Sequence, residues 1–239
     1  MAPTREDFEL AISAYWQAKD KQLAAAEEIR STAEGSAKAV RGGGQFNPIV
    51  NLISRFFTDA GYPLESIGVK RGRVTLPSHF RPTKQWDLVV VHRGVLVAAM
   101  EMKALGGPSF GNNYNNRVEE ALGSSLDLSR ANLEGLTGPE KPWLGYFFLM
   151  NDEEGSRRPV TPQKGPFPVE DVWQGRSYQE RFEVTGSRLL GEGLYDAVCY
   201  LISSPEDPGP REPVPQLDWQ HFCAAIKARI EYLSSLGYP

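Results

Sequence analysis

One stretch constrains this chain more than any other. Trp86-Asp87-Leu88-Val89-Val90-Val91 is rich in β-branched residues, His92-Arg93-Gly94 reads as a turn, and Val95-Leu96-Val97-Ala98-Ala99-Met100-Glu101-Met102-Lys103 reads as the returning strand. Two carboxylates, Asp87 and Glu101, sit in these apolar strands, where an unpaired acid is costly. A three-residue loop, with Gly94 in the left-handed conformation such loops need, predicts Val91 opposite Val95 and Asp87 opposite Ala99. Asp87, Glu101 and Lys103 then emerge on one face, with Asp87 and Glu101 as diagonal neighbours ~7–8 Å apart. A two-residue loop would move Asp87 to the opposite face.

Two hard-oxygen side chains beside a lysine suit Mg²⁺, which takes one or two carboxylates and completes its shell with water and phosphate oxygens. The backbone carbonyl of Met102, between Glu101 and Lys103 in sequence, is a candidate third ligand. Lys103 is placed to hold the attacking water or to neutralise phosphate charge. The arrangement points to metal-assisted phosphodiester hydrolysis. An E-x-K triplet alone is common, and a plain ion pair on a half-exposed strand is the competing reading.

The surrounding charge favours an anionic ligand. The net charge of −4 argues against a protein that coats nucleic acid indiscriminately. Yet Lys70, Arg71, Arg73, Arg81, Lys84 and Arg93 crowd around the single acid Asp87, with His79 and His92 among them, while the last 49 residues are acidic. The two cysteines, Cys199 and Cys223, form no Cys/His cluster, which excludes a disulfide scaffold and a zinc finger and makes them candidate core residues. The N-terminus lacks the apolar stretch of a secretory signal, and no apolar run approaches the ~18 residues of a membrane span. A soluble cytoplasmic protein without membrane contact is expected.

The rest of the chain alternates helices and strands, which predicts a mixed α/β fold. Residues 4–32 read as a helix capped by Thr4 with Asp7 three positions on, serving as a dimer element or as part of the core. A helix over 47–60 follows a glycine break, with Asn47 suited to its N-cap. A polar Gly/Asn-rich loop is expected over 106–116 and a helix over 116–132. Trp143–Met150 reads as a buried strand, 151–176 as a long proline-containing loop, and 217–236 as an amphipathic helix burying Trp219, Phe222, Ile226, Ile230 and Leu233.

Asp87 followed by Glu101-Met102-Lys103 resembles the PD-(D/E)xK nuclease signature, with Trp86 standing where proline is usual. The flanking blocks are more specific. Phe80-Arg81-Pro82-Thr83-Lys84 and the run Gly107-Pro108-Ser109-Phe110-Gly111-Asn112-Asn113-Tyr114-Asn115-Asn116-Arg117-Val118-Glu119-Glu120-Ala121 resemble the XhoI family of type II restriction endonucleases. The resemblance implies a restriction-endonuclease-like core, a mixed β-sheet flanked by helices. It divides the chain into an N-terminal helical arm (1–44), a catalytic core (45–150) and C-terminal loops and helices (151–239) that complete a single endonuclease domain (1–239). It further implies a Mg²⁺-dependent homodimer acting on double-stranded DNA at the palindrome CTCGAG, cutting after the first C to leave 5′-TCGA overhangs. A cognate DNA methyltransferase would act on the same site without needing to bind this chain. Asp87 and Glu101 would be metal ligands and Lys103 the catalytic lysine. Some nucleases of this class draw another acid from the helix before the sheet, where this chain offers only Asp59.

A twofold dimer suits a palindrome, because each subunit reads one half-site. Arg suits guanine and Asn suits adenine, so Ser109, Asn112, Asn113, Asn115, Asn116 and above all Arg117 are candidate base or backbone contacts. Asn also suits turns and helix caps. Lys70, Arg71, Arg73, Arg81 and Lys84 are candidate phosphate contacts. Two other functions compete: a repair or structure-specific nuclease with the same triad, and a DNA-binding protein that has lost catalysis.

Overall fold

The computed structural model describes residues 2–32, 44–70 and 72–238. Arg71 lies outside them, as do 33–43, the last stretch of the expected arm but for Gly44. The elements run α1 (Arg5–Thr32), α2 (Asn47–Asp59), β1 (Ile67–Gly68), β2 (Thr75–Pro77), β3 (Thr83–Gln85), β4 (Leu88–His92), β5 (Val95–Leu105), α3 (Phe110–Leu133), β6 (Leu144–Asn151), α4 (Glu154–Arg157), α5 (Tyr178–Gly191), β7 (Ala197–Ser203) and α6 (Trp219–Ser235). Among the described residues no helix is long and apolar enough to cross a membrane.

Five strands form a mixed sheet in the order β1-β4-β5-β6-β7. The β1–β4 and β4–β5 pairs are antiparallel; β5–β6 and β6–β7 are parallel, joined by helical crossovers. Alternation along the strands divides the core between two helix layers. On one face Leu88, Val90, Phe147, Leu149, Cys199 and Leu201 pack against α1, α2 and α6. On the other, Val89, Tyr146, Phe148, Val198 and Tyr200 pack against α3 and α5. The fold is α/β, with helices on both faces of a mixed sheet.

The N-terminal half of α1 belongs to the core. Phe8, Ile12, Tyr15 and Trp16 are buried, and Phe8 stacks on Trp219 of α6 with ring centroids 4.4 Å apart. The expected capping box is present: the Thr4 amide donates to Asp7 Oδ2 at 2.9 Å and the Asp7 amide to Thr4 Oγ1 at 3.1 Å. At α2 the cap differs from the sequence reading. A 3₁₀ turn over Gly44–Phe46 leads in, Phe46 takes the N-cap position, and Asn47 is already helical. Burial of Phe46, Ile49, Val50 and Ile53 carries this start without a side-chain cap. Cys199 and Cys223 are both buried and free.

Two corrections bear on the functional residues. The β4–β5 turn has two residues, not three: His92 pairs with Val95, and Arg93 (φ 49°) and Gly94 (φ 77°) both take left-handed conformations. That alone would turn Asp87 to the wrong face. A bulge between Val90 and Val91 and their partners restores the parity, because Val91 pairs with Leu96 while Val90 pairs with Ala98. Val97 and Ala98 accordingly both join the α1/α2/α6 layer. The register, Leu88 with Met100, sets Asp87 opposite Glu101 rather than opposite Ala99.

The second correction concerns 106–116, which is not a loop throughout. Helix α3 begins at Phe110, so all four asparagines lie in its first turns. Asparagine is a poor helix former, but Phe110 and Tyr114 are one turn apart, both buried, and both pack on Tyr178 at centroid distances of 5.7 and 5.8 Å. That packing outweighs local propensity. The expected loop 151–176 likewise contains the short helix α4 and a 3₁₀ turn at Asp171–Trp173.

Candidate active site

The candidate site lies on the α3/α5 face of the sheet, where three elements meet. Strand β5 supplies Glu101 and Lys103 at alternate positions. The approach to β4 supplies Asp87, and the small β2–β3 ribbon supplies Lys84. The ribbon is seated by Val74, Leu76 and Trp86 in the core and by the Trp86 amide donating to the Val74 carbonyl at 2.8 Å. Lys84 Nζ lies 4.4 Å from the centre of the Trp86 ring and bonds Glu101 Oε2.

Glu101 is 4% exposed. Its two oxygens are held by two ammonium groups, Oε2 by Lys84 and Oε1 by Lys103. Burial alone would raise its carboxyl, but the two lysines outweigh it and hold Glu101 below the ordinary glutamate value. Asp87 is in the opposite condition. Burial and then the charge of Glu101 push its carboxyl up, against one bond from the Met102 amide to Oδ2 at 2.7 Å and the charges of Lys103 and Lys84. Burial works against the Lys103 ammonium too, yet Glu101, Asp87 and Glu120 outweigh it and raise its value, so Lys103 is a donor near neutral pH.

Lys84, Glu101 and Lys103 line a cleft of about 700 Å³ whose other walls are Phe80, Arg81, Thr83 and Gln85 on one side and Glu119, Glu120, Gly123, Ser124 and Asp127 of α3 on the other. A second buried carboxylate, Asp127, ties these walls together. Its Oδ1 accepts from the amides of His79 (2.7 Å) and Phe80 (2.9 Å), and its Oδ2 from Arg81 Nε (2.8 Å). His79 adds a 2.7 Å contact to Glu134 at the end of α3.

Asp87, Glu101 and Lys103 are therefore brought together as the sequence reading expected, and Lys84 joins them. Arg81 is engaged by Asp127, and Arg117 Nη1 reaches Glu120 Oε2 at 2.5 Å. Ser109, Asn112, Asn115 and Asn116 are exposed and Asn113 half-buried. Asn115 lines a separate apolar groove with Tyr114, Val118 and Leu122. Lys70 and Arg73 are exposed on the turn after β1, where Arg73 bonds the Glu65 carbonyl. Asp59 belongs to α2, the layer on the opposite face of the sheet, and lines a surface groove with Phe56 and Lys227.

Asp127 and Glu120 were not singled out from sequence. Asp127 carried a signal, an acid between Ser124 and Leu128 on the apolar stripe of a helix. Glu120 carried a weaker one, its i,i+3 spacing from Arg117.

The residues fit a divalent cation in chemistry. Burial first and then the charge of Glu101 on the facing strand position raise the Asp87 carboxyl, and a cation between the two acids would offset both. The Met102 amide points at Asp87, which turns the Met102 carbonyl to the same strand edge. Among the described residues no three His, Cys, Asp or Glu side chains converge on one point, so water and phosphate would complete the shell.

Comparison with known proteins gives the family. A family model described as restriction endonuclease XhoI matches residues 26–211. The chain is 38% identical over 187 residues to the type II restriction enzyme XhoI of Xanthomonas vasicola, covering 77% of this chain and 75% of that one. It is 37% identical to the type II restriction enzyme BstVI of Geobacillus stearothermophilus (71% and 78% covered) and 37% identical to AbrI of Azospirillum brasilense (63% and 69% covered). No solved structure gives a significant match. The chain belongs to the XhoI family of type II restriction endonucleases, enzymes that cleave double-stranded DNA at specific sites.

Proposed function

We propose that this chain, acting as a single endonuclease domain and a homodimer, hydrolyses duplex DNA at CTCGAG. The cut falls after the first C of each strand and leaves 5′-TCGA overhangs. Asp87, Glu101 and the Met102 carbonyl hold Mg²⁺, and Lys103 is the catalytic lysine. The observation that carries this reading is the register that sets Asp87 opposite Glu101, with Lys103 bonded to Glu101 in a cleft that Arg81 and Lys84 rim.

Bound Mg²⁺ supplies charge neutralisation at the scissile phosphate and a more acidic water. The protein's own part is positional. The charged Lys103 donates to the attacking water or to a phosphate oxygen. Lys84 and Lys103 offset the negative charge of Glu101 until the phosphate arrives. Asp127 holds the loop of residues 78–82, and with it the cleft mouth, against α3. Lys70, Arg71, Arg73, Arg81 and Lys84 contact phosphates. Ser109, Asn112, Asn113, Asn115, Asn116 and Arg117, around the first turns of α3, contact bases or backbone. The protein works in the cytoplasm, beside a methyltransferase of the same site specificity.

A digest tests the reading. A plasmid with one CTCGAG site is incubated with the protein and Mg²⁺ beside a copy with that site mutated. Linearisation of the first alone is expected, with none in EDTA. Cutting of both copies would discard the target sequence, and cutting in EDTA would discard the metal.

A further inference from the structure

A third carboxylate reaches this site, and it comes from the helix after the catalytic strand. Glu120 Oε2 lies 3.8 Å from Lys103 Nζ and 2.5 Å from Arg117 Nη1. Lys103 thus sits between two acids on different elements, Glu101 beneath it on β5 and Glu120 above it on α3. We propose that Glu120 is a positioning residue that keeps the Lys103 ammonium aimed into the cleft and fixes Arg117 beside it. The proposal rests on the nuclease reading of Asp87, Glu101 and Lys103.

The argument is one of competing partners. Glu101 has two oxygens, and two lysines now share them. Once Glu101 gives oxygens to a cation it holds the lysines less firmly. A lysine stem has four rotatable bonds, so an ammonium released at one end wanders unless a second acid retains it. Among the described residues Glu120 is the other acid within ion-pair distance of Lys103. Glu120 is poorly placed for a role in stability: its side chain is 45% exposed, and ion pairs so exposed contribute little to folding. Its neighbour Glu119 lines the same cleft but forms no ion pair among the described residues, which makes it a matched control for charge alone.

The test compares Glu120→Gln, Glu120→Asp and Glu119→Gln under saturating cognate DNA, with duplex binding in EDTA followed by fluorescence anisotropy. Glu120→Gln is expected to lower kcat about 10–100-fold, the range typical of residues that orient a catalytic group. Binding in EDTA should stay equal or become tighter, since a negative charge has left the cleft. Glu120→Asp should recover much of kcat, and Glu119→Gln should change it little. A Glu120→Gln variant no slower than Glu119→Gln, or one whose whole defect is lost binding, would overturn the positioning role. Asp87→Asn run alongside separates the two failures. If it is inactive while Glu120→Gln is unimpaired, only this proposal falls. If Asp87→Asn cuts normally, the site reading falls and takes the proposal with it.

Discussion

Two buried carboxylates, Glu101 and Asp127, line one cleft and are satisfied in opposite ways. Glu101, 4% exposed, is bonded by two ammonium groups on long stems. Asp127, 3% exposed, is bonded by two backbone amides and one guanidinium. Backbone amides cannot leave without moving the chain, so Asp127 fastens the loop of residues 78–82 to α3. Ammonium groups can swing away, so Glu101 can exchange its partners for another cation. The same residue chemistry is thus a fastening in one place and the proposed reaction site in the other, and the donor decides which.

The largest expected effect tests the exchangeable half. Glu101→Ala should lower cleavage by about 10²–10³-fold, the usual loss when a group that stabilises developing charge is removed. Its melting temperature should fall yet stay above the assay temperature, because removing the acid leaves the largely buried Lys84 and Lys103 ammonium groups without their counter-charge. A fall in melting temperature that accounts for the lost activity would erase the distinction. Next is Asp127→Asn, which leaves an amide N–H facing backbone donors. It should cost about 1–3 kcal/mol of stability, read by urea denaturation, and lower cleavage only through the displaced loop.

Acid unfolding sharpens the contrast. The Asp127 carboxyl is held below its ordinary value of 3.8: burial opposes this, but the Phe80 amide, the Arg81 guanidinium and the His79 amide outweigh burial. Its contribution to stability is therefore complete above that ordinary value and lost as pH falls through the lower folded value. The Asp127→Asn variant should lose less stability than the parent between neutral pH and pH 3. The smallest effect belongs to Asp87, whose raised carboxyl has the reverse sign. Charged Asp87 opposes folding at neutral pH, so Asp87→Asn should raise the melting temperature slightly while it stops cleavage. A lowered melting temperature would show that the Met102 bond and the neighbouring lysines outweigh burial and the repulsion from Glu101.

Much of this arrangement was legible beforehand because its signals are local. The β-branched runs around Asp87 and Glu101 marked their strands, the Thr4/Asp7 spacing marked the start of α1, and the E-x-K spacing placed Glu101 and Lys103 on one face. The asparagine-rich segment misled for the converse reason. Its composition reads as loop, while burial of Phe110 and Tyr114 against a tyrosine about seventy residues away makes it helix.

By itself the sequence determined that two carboxylates and a lysine fall in or beside apolar strands, a pattern carried by β-branched runs and residue spacing. Tertiary structure alone decided how they meet. The two-residue turn would have separated Asp87 from Glu101, and only the bulge beside it, shaped by packing of Val97 and Ala98 into the α1/α2/α6 layer, brings them opposite each other. The partners of Glu101, Asp127 and Lys103 likewise come from elements distant in sequence, and contacts across such separations leave no periodicity for a sequence to display.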